Sequence, residues 1–206
     1  LWAATRSGLY QYDHTRELLL PLVNGEGSPF FRETIYALAE SAKGELLVGA
    51  GNGFWIIDTK NLAVTRMSNL SDEVSNLPGS AVGDILVDSQ ANIWLGMEEG
   101  IFHIDWATKQ HRLFVPNPKS IADNSIRSLA QDHNGNIWAG SDHGVYRLNP
   151  ETGIIKHYKN NPNDPYSLSN NILRQIYIDK KGWVWAGTDG GGLNLYDEPK
   201  DRFLRF

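Results

Sequence analysis

The chain has 206 residues, 41% hydrophobic and 21% charged, enough apolar material for a sizeable core and too little charge for gross disorder. Its formal charge of −5, with no Lys/Arg cluster, excludes a nucleic-acid or anionic-lipid footprint. The absence of Cys excludes a disulfide framework, Cys-based zinc sites and thiol catalysis, and no apolar run approaches the ~18 residues of a membrane span.

Read in chain order, one phrase recurs: Trp after an apolar residue, a small residue two places on, Gly at +6, then an alternating apolar stretch. The first copy is Leu1-Trp2-Ala3-Ala4, with Gly8 and the stretch Leu9-Tyr10-Gln11-Tyr12. A weaker copy, Leu46-Leu47-Val48-Gly49 with Gly53, carries Leu at the Trp position. Ile93-Trp94-Leu95-Gly96 with Gly100 and Ile137-Trp138-Ala139-Gly140 with Gly144 follow, and Val184-Trp185-Ala186-Gly187 closes on Gly192 after one inserted residue. The anchors at 2, 47, 94, 138 and 185 are 45, 47, 44 and 47 residues apart.

A second element precedes each later anchor. Asp132 and Asp179 stand six residues before Trp, with Gly135 and Gly182 three after the Asp. Asp88 keeps the Asp but has Ala91 where Gly is expected, and Ser41 to Gly44 keeps only the Gly. Asp opening a type I turn that ends in Gly is hairpin chemistry. Short apolar strands lead into these turns: Ile35 to Ala39, Val82 to Val87, Ile126 to Ala130 and Leu173 to Ile178. Related loops, Ser120 to Asn124 and Ser167 to Asn171, lie further upstream.

Each unit thus reads as strand, Asp turn, Trp strand, Gly loop, alternating strand and a shorter fourth strand such as Ile155 to Tyr158. Four short antiparallel strands per ~45 residues without helical periodicity predict an all-β fold, a β-propeller of four-stranded blades. Chain order makes the strand before the Asp turn innermost and the Trp strand second. The chain then holds three strands of one blade and four complete blades, as one propeller segment over 1–206. The repeats run 1–30 (partial), 31–74, 75–118, 119–165 and 166–206. The Trp side chains are expected to pack between blades and the loop glycines to need positive φ.

The phrase Asp-x-x-Gly-x-Ile-Trp-x-Gly, preceded by Ser-Leu-x-x-Asn, resembles the two-component regulator propeller repeat. Ser167 to Asp197 and Ser120 to Asn149 carry it best, and Gly25 to Asp58 departs most. The resemblance implies the periplasmic sensing part of a membrane-bound bacterial receptor, with a histidine kinase or diguanylate cyclase as output. It also implies a longer array, commonly seven repeats to a propeller, so the chain is expected to be part of a larger ring.

Candidate functional residues follow from placement. Gly187 to Gly192 could be mistaken for a phosphate cradle, but a strand follows where a helix N-terminus is required. The six His show no metal-ligand spacing, and no nucleophile elbow occurs. Adjacent Glu98 and Glu99 point to opposite faces of an extended chain, a poor acid/base pair. The sequence therefore gives neither a catalytic set, nor a metal site, nor a cofactor. Loops joining second to third strands diverge between repeats and share one end of the ring, where recognition is expected. They offer Arg6, Asn52, Glu98, His143 and Asp189, and the inner strands add Arg127 and Arg174 in equivalent positions, either facing the channel mouth or paired with a neighbouring Asp. Trp2, Trp94, Trp138, Trp185, Asp88, Asp132, Asp179, Gly135 and Gly182 are assigned to the repeat itself. Trp183 is expected to be exposed, and Trp55 and Trp106 fall off the repeat phase without an evident reason.

The expected function is ligand sensing without chemistry, for a small molecule or oligosaccharide, in partnership with the remainder of a receptor that could form a homodimer. Two other classes stay open: a lyase or hydrolase propeller, and a scaffold propeller that mediates protein contacts.

Overall fold

The computed structural model describes residues 1–22, 30, 32–67, 81–116 and 125–206. The Ser120 to Asn124 loop lies outside them. The described residues contain no α-helix and form five antiparallel sheets in chain order. Blade 1 has three strands, β1 (Trp2–Thr5), β2 (Gly8–Asp13) and β3 (Leu18–Pro21). Blade 2 has β4 (Ile35–Glu40), β5 (Leu46–Ala50), β6 (Gly53–Ile57) and β7 (Val64–Arg66). Blade 3 has β8 (Val82–Val87), β9 (Ile93–Met97), β10 (Gly100–Ile104) and β11 (His111–Phe114). Blade 4 has β12 (Ile126–Gln131), β13 (Ile137–Ser141), β14 (Gly144–Leu148) and β15 (Ile155–Tyr158). Blade 5 has β16 (Leu173–Ile178), β17 (Val184–Thr188), β18 (Gly192–Asp197) and β19 (Arg202–Arg205). The first strands β4, β8, β12 and β16 lie side by side, as the innermost strands of a propeller must.

The core is a series of slabs between blades. Leu47, Phe54 and Ile56 of blade 2 meet Ile85, Leu95 and Phe102 of blade 3. Trp94 and Phe114 of blade 3 meet Leu129, Ile137 and Tyr146 of blade 4. Trp138 and Tyr158 of blade 4 meet Ile176, Tyr196 and Phe203 of blade 5. Strand alternation explains this: each blade is apolar on both faces, so both faces need a neighbouring sheet.

The Asp-to-Trp spacing of six has a direct cause. Asp88 Oδ2 accepts the Trp94 indole N–H at 2.9 Å, Asp132 Oδ2 that of Trp138 at 2.8 Å and Asp179 Oδ2 that of Trp185 at 3.1 Å. The other carboxylate oxygen caps the turn, accepting for instance from the backbone N–H groups of Asn134 and Asn136. One carboxylate therefore closes the turn and satisfies an indole that the blade interface would otherwise bury unpaired. Where blade 2 has Leu47 in place of Trp, it has Ser41 in place of Asp. The Ser41 hydroxyl still caps Lys43 and Glu45, but there is no indole to serve.

The glycines of the repeat answer close approaches. Gly100 and Gly144 have φ of 142° and 123°, and a Cβ on either would collide with the carbonyl of Phe114 or Tyr158 on the outer strand. Gly96, two residues after Trp94, lets Ile126 of the next blade's inner strand approach, since a Cβ would lie 2.8 Å from its Cγ2.

The off-phase tryptophans find partners. Trp106, at the β10–β11 turn, is buried in the same cluster as Leu47 of blade 2. Lys109 Nζ lies 3.0 Å from the centre of the Trp106 ring. The Trp55 indole donates to Asn52 Oδ1 at 2.9 Å, and the ring meets Phe30 edge-on. Trp183 is exposed, as expected.

Candidate functional site

The strand registers divide the propeller into two ends. Val82 pairs with Met97, Ile126 with Ser141 and Leu173 with Thr188, so each inner strand begins beside the loop joining second to third strands. The Asp turns lie at the opposite end. At the first end every inner strand carries a β-bulge, between Ile35 and Ala37, Val82 and Asp84, Ile126 and Ser128, and Leu173 and Gln175. The extra residues are Tyr36, Gly83, Arg127 and Arg174. A bulge leaves one residue outside the ladder and re-aims its side chain. Tyr36, Arg127 and Arg174 are accordingly exposed at the channel mouth.

Arg127 Nη2 lies 2.6 Å from Asp142 Oδ2, and Arg174 Nη2 lies 2.6 Å from Asp189 Oδ2. Each pair joins a bulge to the loop of its own blade. Both are solvent-exposed, so they orient charge at the mouth while adding little stability.

In blade 3 the pattern breaks. Gly83 occupies the bulge position and Glu98 the loop position that Asp142 and Asp189 hold elsewhere. A Cβ at Gly83 would lie 2.8 Å from the Ile126 carbonyl oxygen, so the close approach of β12 demands Gly here. The missing side chain leaves a depression of about 250 Å³ lined by Tyr36, Ala81, Gly83, Glu98, Ser125, Ile126 and Arg127. Beneath it Asp84 joins two inner strands: Oδ2 accepts from the Leu129 N–H at 2.7 Å and Oδ1 from the Ile85 N–H at 2.9 Å. Burial raises the Asp84 carboxyl above its ordinary value, against these two hydrogen bonds.

Of the candidate residues, the structure brings Glu98 and Arg127 to one depression. Arg174 and Asp189 pair with each other in the next blade. Asn52 builds its loop, since its carbonyl accepts from Arg66 Nη2 at 2.7 Å in addition to the Trp55 contact. The His143 carbonyl lies 2.9 Å from His157 Nε2, and the Arg6 carbonyl accepts from the Thr34 hydroxyl at 3.3 Å. Sequence reasoning missed Tyr36 and Gly83, although each follows the first apolar residue of its inner strand just as Arg127 and Arg174 do.

At the outer side of blades 4 and 5, Asp201 accepts from the Tyr158 and Tyr196 hydroxyls at 2.6 and 2.7 Å and pairs with Lys156. Arg147 donates to the Tyr196 hydroxyl at 3.1 Å. Burial, reinforced by Tyr196, pushes the Tyr158 phenol far up, so it stays protonated as a donor. This network locks two blades together. Among the described residues, no His/Cys/Asp/Glu group has metal-site geometry.

Residues 120–143 and 167–190 match the family model described as two component regulator propeller. No curated protein matches significantly. The chain is similar to two structures of the extracellular domain of BT4673 from B. thetaiotaomicron, described in one case as a one component and in the other as a hybrid two component system. The first is 28% identical over 94% of this chain and 25% of that one, with a TM-score of 0.78. The second is 27% identical over 100% and 25%, with a TM-score of 0.77. The chain thus spans about a quarter of their length. Virginiamycin B lyase from Staphylococcus aureus, 17% identical over 79% of this chain and 55% of that one at a TM-score of 0.55, shares the fold alone. Two segments of the chain thus match the two component regulator propeller model, on a β-propeller fold like that of these extracellular domains.

Proposed function

We propose that the chain is a ligand-sensing, non-catalytic propeller on the extracytoplasmic side of a bacterial signal-transduction receptor, facing the periplasm. The output module is of the histidine kinase or diguanylate cyclase type. The observation that carries this reading is the depression at the channel mouth, where a broken repeat leaves Tyr36, Glu98 and Arg127 around a gap on a rigid scaffold. The likeness to extracellular domains of a signalling system supports the location.

The mechanism is a bias between receptor states. A ligand that binds one packing of the propeller better than another shifts the equilibrium by its differential affinity. The depression touches the inner strands of blades 2, 3 and 4, so an occupant is sensitive to their spacing. A thermal-shift screen of the chain with oligosaccharides, small acids, amines and peptides tests the reading. Stabilisation by one class, lost in Arg127→Ala or Glu98→Ala, supports it; no stabilisation by any class counts against it.

A further inference from the structure

The repeat supplies its own template for what the mouth depression accepts. In blades 4 and 5 a loop carboxylate, Asp142 or Asp189, holds a guanidinium contributed by the bulge of the same blade. In blade 3 the loop carboxylate is present as Glu98, but the guanidinium donor is replaced by Gly83. Among the described residues no hydrogen bond or ion pair reaches the Glu98 carboxylate, which is exposed and lines the gap. The bulge residue of blade 2, Tyr36, lines the same gap with 54% of its surface exposed. A carboxylate and an aromatic ring around one cavity both attract a cation, the first through charge-assisted hydrogen bonds and the second through its ring quadrupole. Arg127, the cation on the rim, already has its charge answered by Asp142.

We infer that the depression binds a guanidinium or alkylammonium group from outside the chain, seated against Glu98 and Tyr36 where blades 4 and 5 place their own arginine. The inference rests on the mouth being the ligand site and adds the chemistry of the occupant. A volume near 250 Å³ admits a guanidinium with part of its alkyl stem. The group could be carried by a free small molecule or by an arginine of a polypeptide; the recognition is the same.

Isothermal titration of the chain with agmatine and with the peptide acetyl-Ala-Arg-Ala-amide tests this, with the citrulline peptide as the neutral isostere. Both cationic probes, or one of them, should bind, and whichever binds more tightly identifies the source. Glu98→Gln should weaken binding at least about tenfold, the effect of one charge-assisted contact, and Tyr36→Leu about three- to fivefold. Affinity should fall as salt rises. Lys60→Gln, in the exposed β6–β7 turn at the opposite end, should leave it unchanged, and both binding-site variants should keep the wild-type unfolding midpoint because both residues are exposed. Equal binding of the citrulline peptide, or undiminished binding by Glu98→Gln, overturns the inference. Should a neutral sugar or an anion occupy the depression while the cations do not, the cation chemistry fails and the mouth remains the ligand site. Binding of no probe class at the depression removes both.

Discussion

Removing the Asp132 carboxylate should destabilise the chain through the tryptophan it serves. Asp132 is buried and accepts from two backbone N–H groups of its turn, from Asn136 Nδ2 at 3.0 Å and from the Trp138 indole at 2.8 Å. In Asp132→Ala the turn can recover part of its loss from solvent. The Trp138 indole cannot, because Trp138 is fully buried against Tyr158, Tyr196 and Phe203. One buried unpaired donor costs about 1–3 kcal/mol, and with the weakened turn the total should be about 3–4 kcal/mol. Trp138→Phe removes the donor and leaves most of the ring packing. Asp132→Ala in that background should therefore cost less by about 1–2 kcal/mol. Denaturant unfolding of the wild type, both single variants and the double variant measures this coupling. Additivity within about 0.5 kcal/mol would show that the spacing of six serves the turn alone, and the explanation of the repeat would fail.

Three further outcomes follow from the same structure. Trp138→Ala should cost about 3–5 kcal/mol, whereas Trp185→Ala should cost clearly less in the same denaturation series, because Trp185 is only partly buried. Equal losses would contradict packing between blades as the role of these rings. Asp84 gives a pH dependence with a definite sign. Its folded carboxyl is raised above 3.8, so from about pH 4 upward the native state binds more protons than the unfolded one and stability falls as pH rises through the folded value. Asp84→Ser, which copies Ser128 (whose hydroxyl accepts the Ile176 N–H at 2.9 Å), should gain on the wild type as pH rises; a pH-independent difference would refute this. Tyr177, Trp183, Leu193 and Phe206 are large exposed apolar groups of blade 5, so the isolated chain should self-associate in sedimentation velocity, and Leu193→Lys should reduce it. A strictly monomeric chain at all concentrations would contradict that expectation.

The architecture was legible because each physical requirement recurs at a fixed place. Trp must fill the gap between blades, Gly must let an outer-strand carbonyl approach, and Asp must open the turn, so all three repeat near a period of forty-five. The link between Asp and Trp was visible as a spacing, but its cause needed the indole hydrogen bond. Trp106 was opaque because the cluster it joins draws on the preceding blade, and only packing brings the two blades together. The mouth was half legible. Arg127 and Arg174 align by sequence, but a bulge is a property of register, so Tyr36 and Gly83 became equivalent to them only once strand pairing was known. That Glu98 faces a gap was likewise hidden, because the gap is an absence at Gly83.

The central claim is that ligand occupancy is read at the channel mouth. Hydrogen–deuterium exchange of the chain, with and without a bound ligand from the screen, tests it most directly. Protection should concentrate in segments 35–37, 82–85, 97–100 and 126–129, the bulges and the loop around the depression. Protection confined to the Asp turns at the opposite end, or none at saturating ligand, would contradict it.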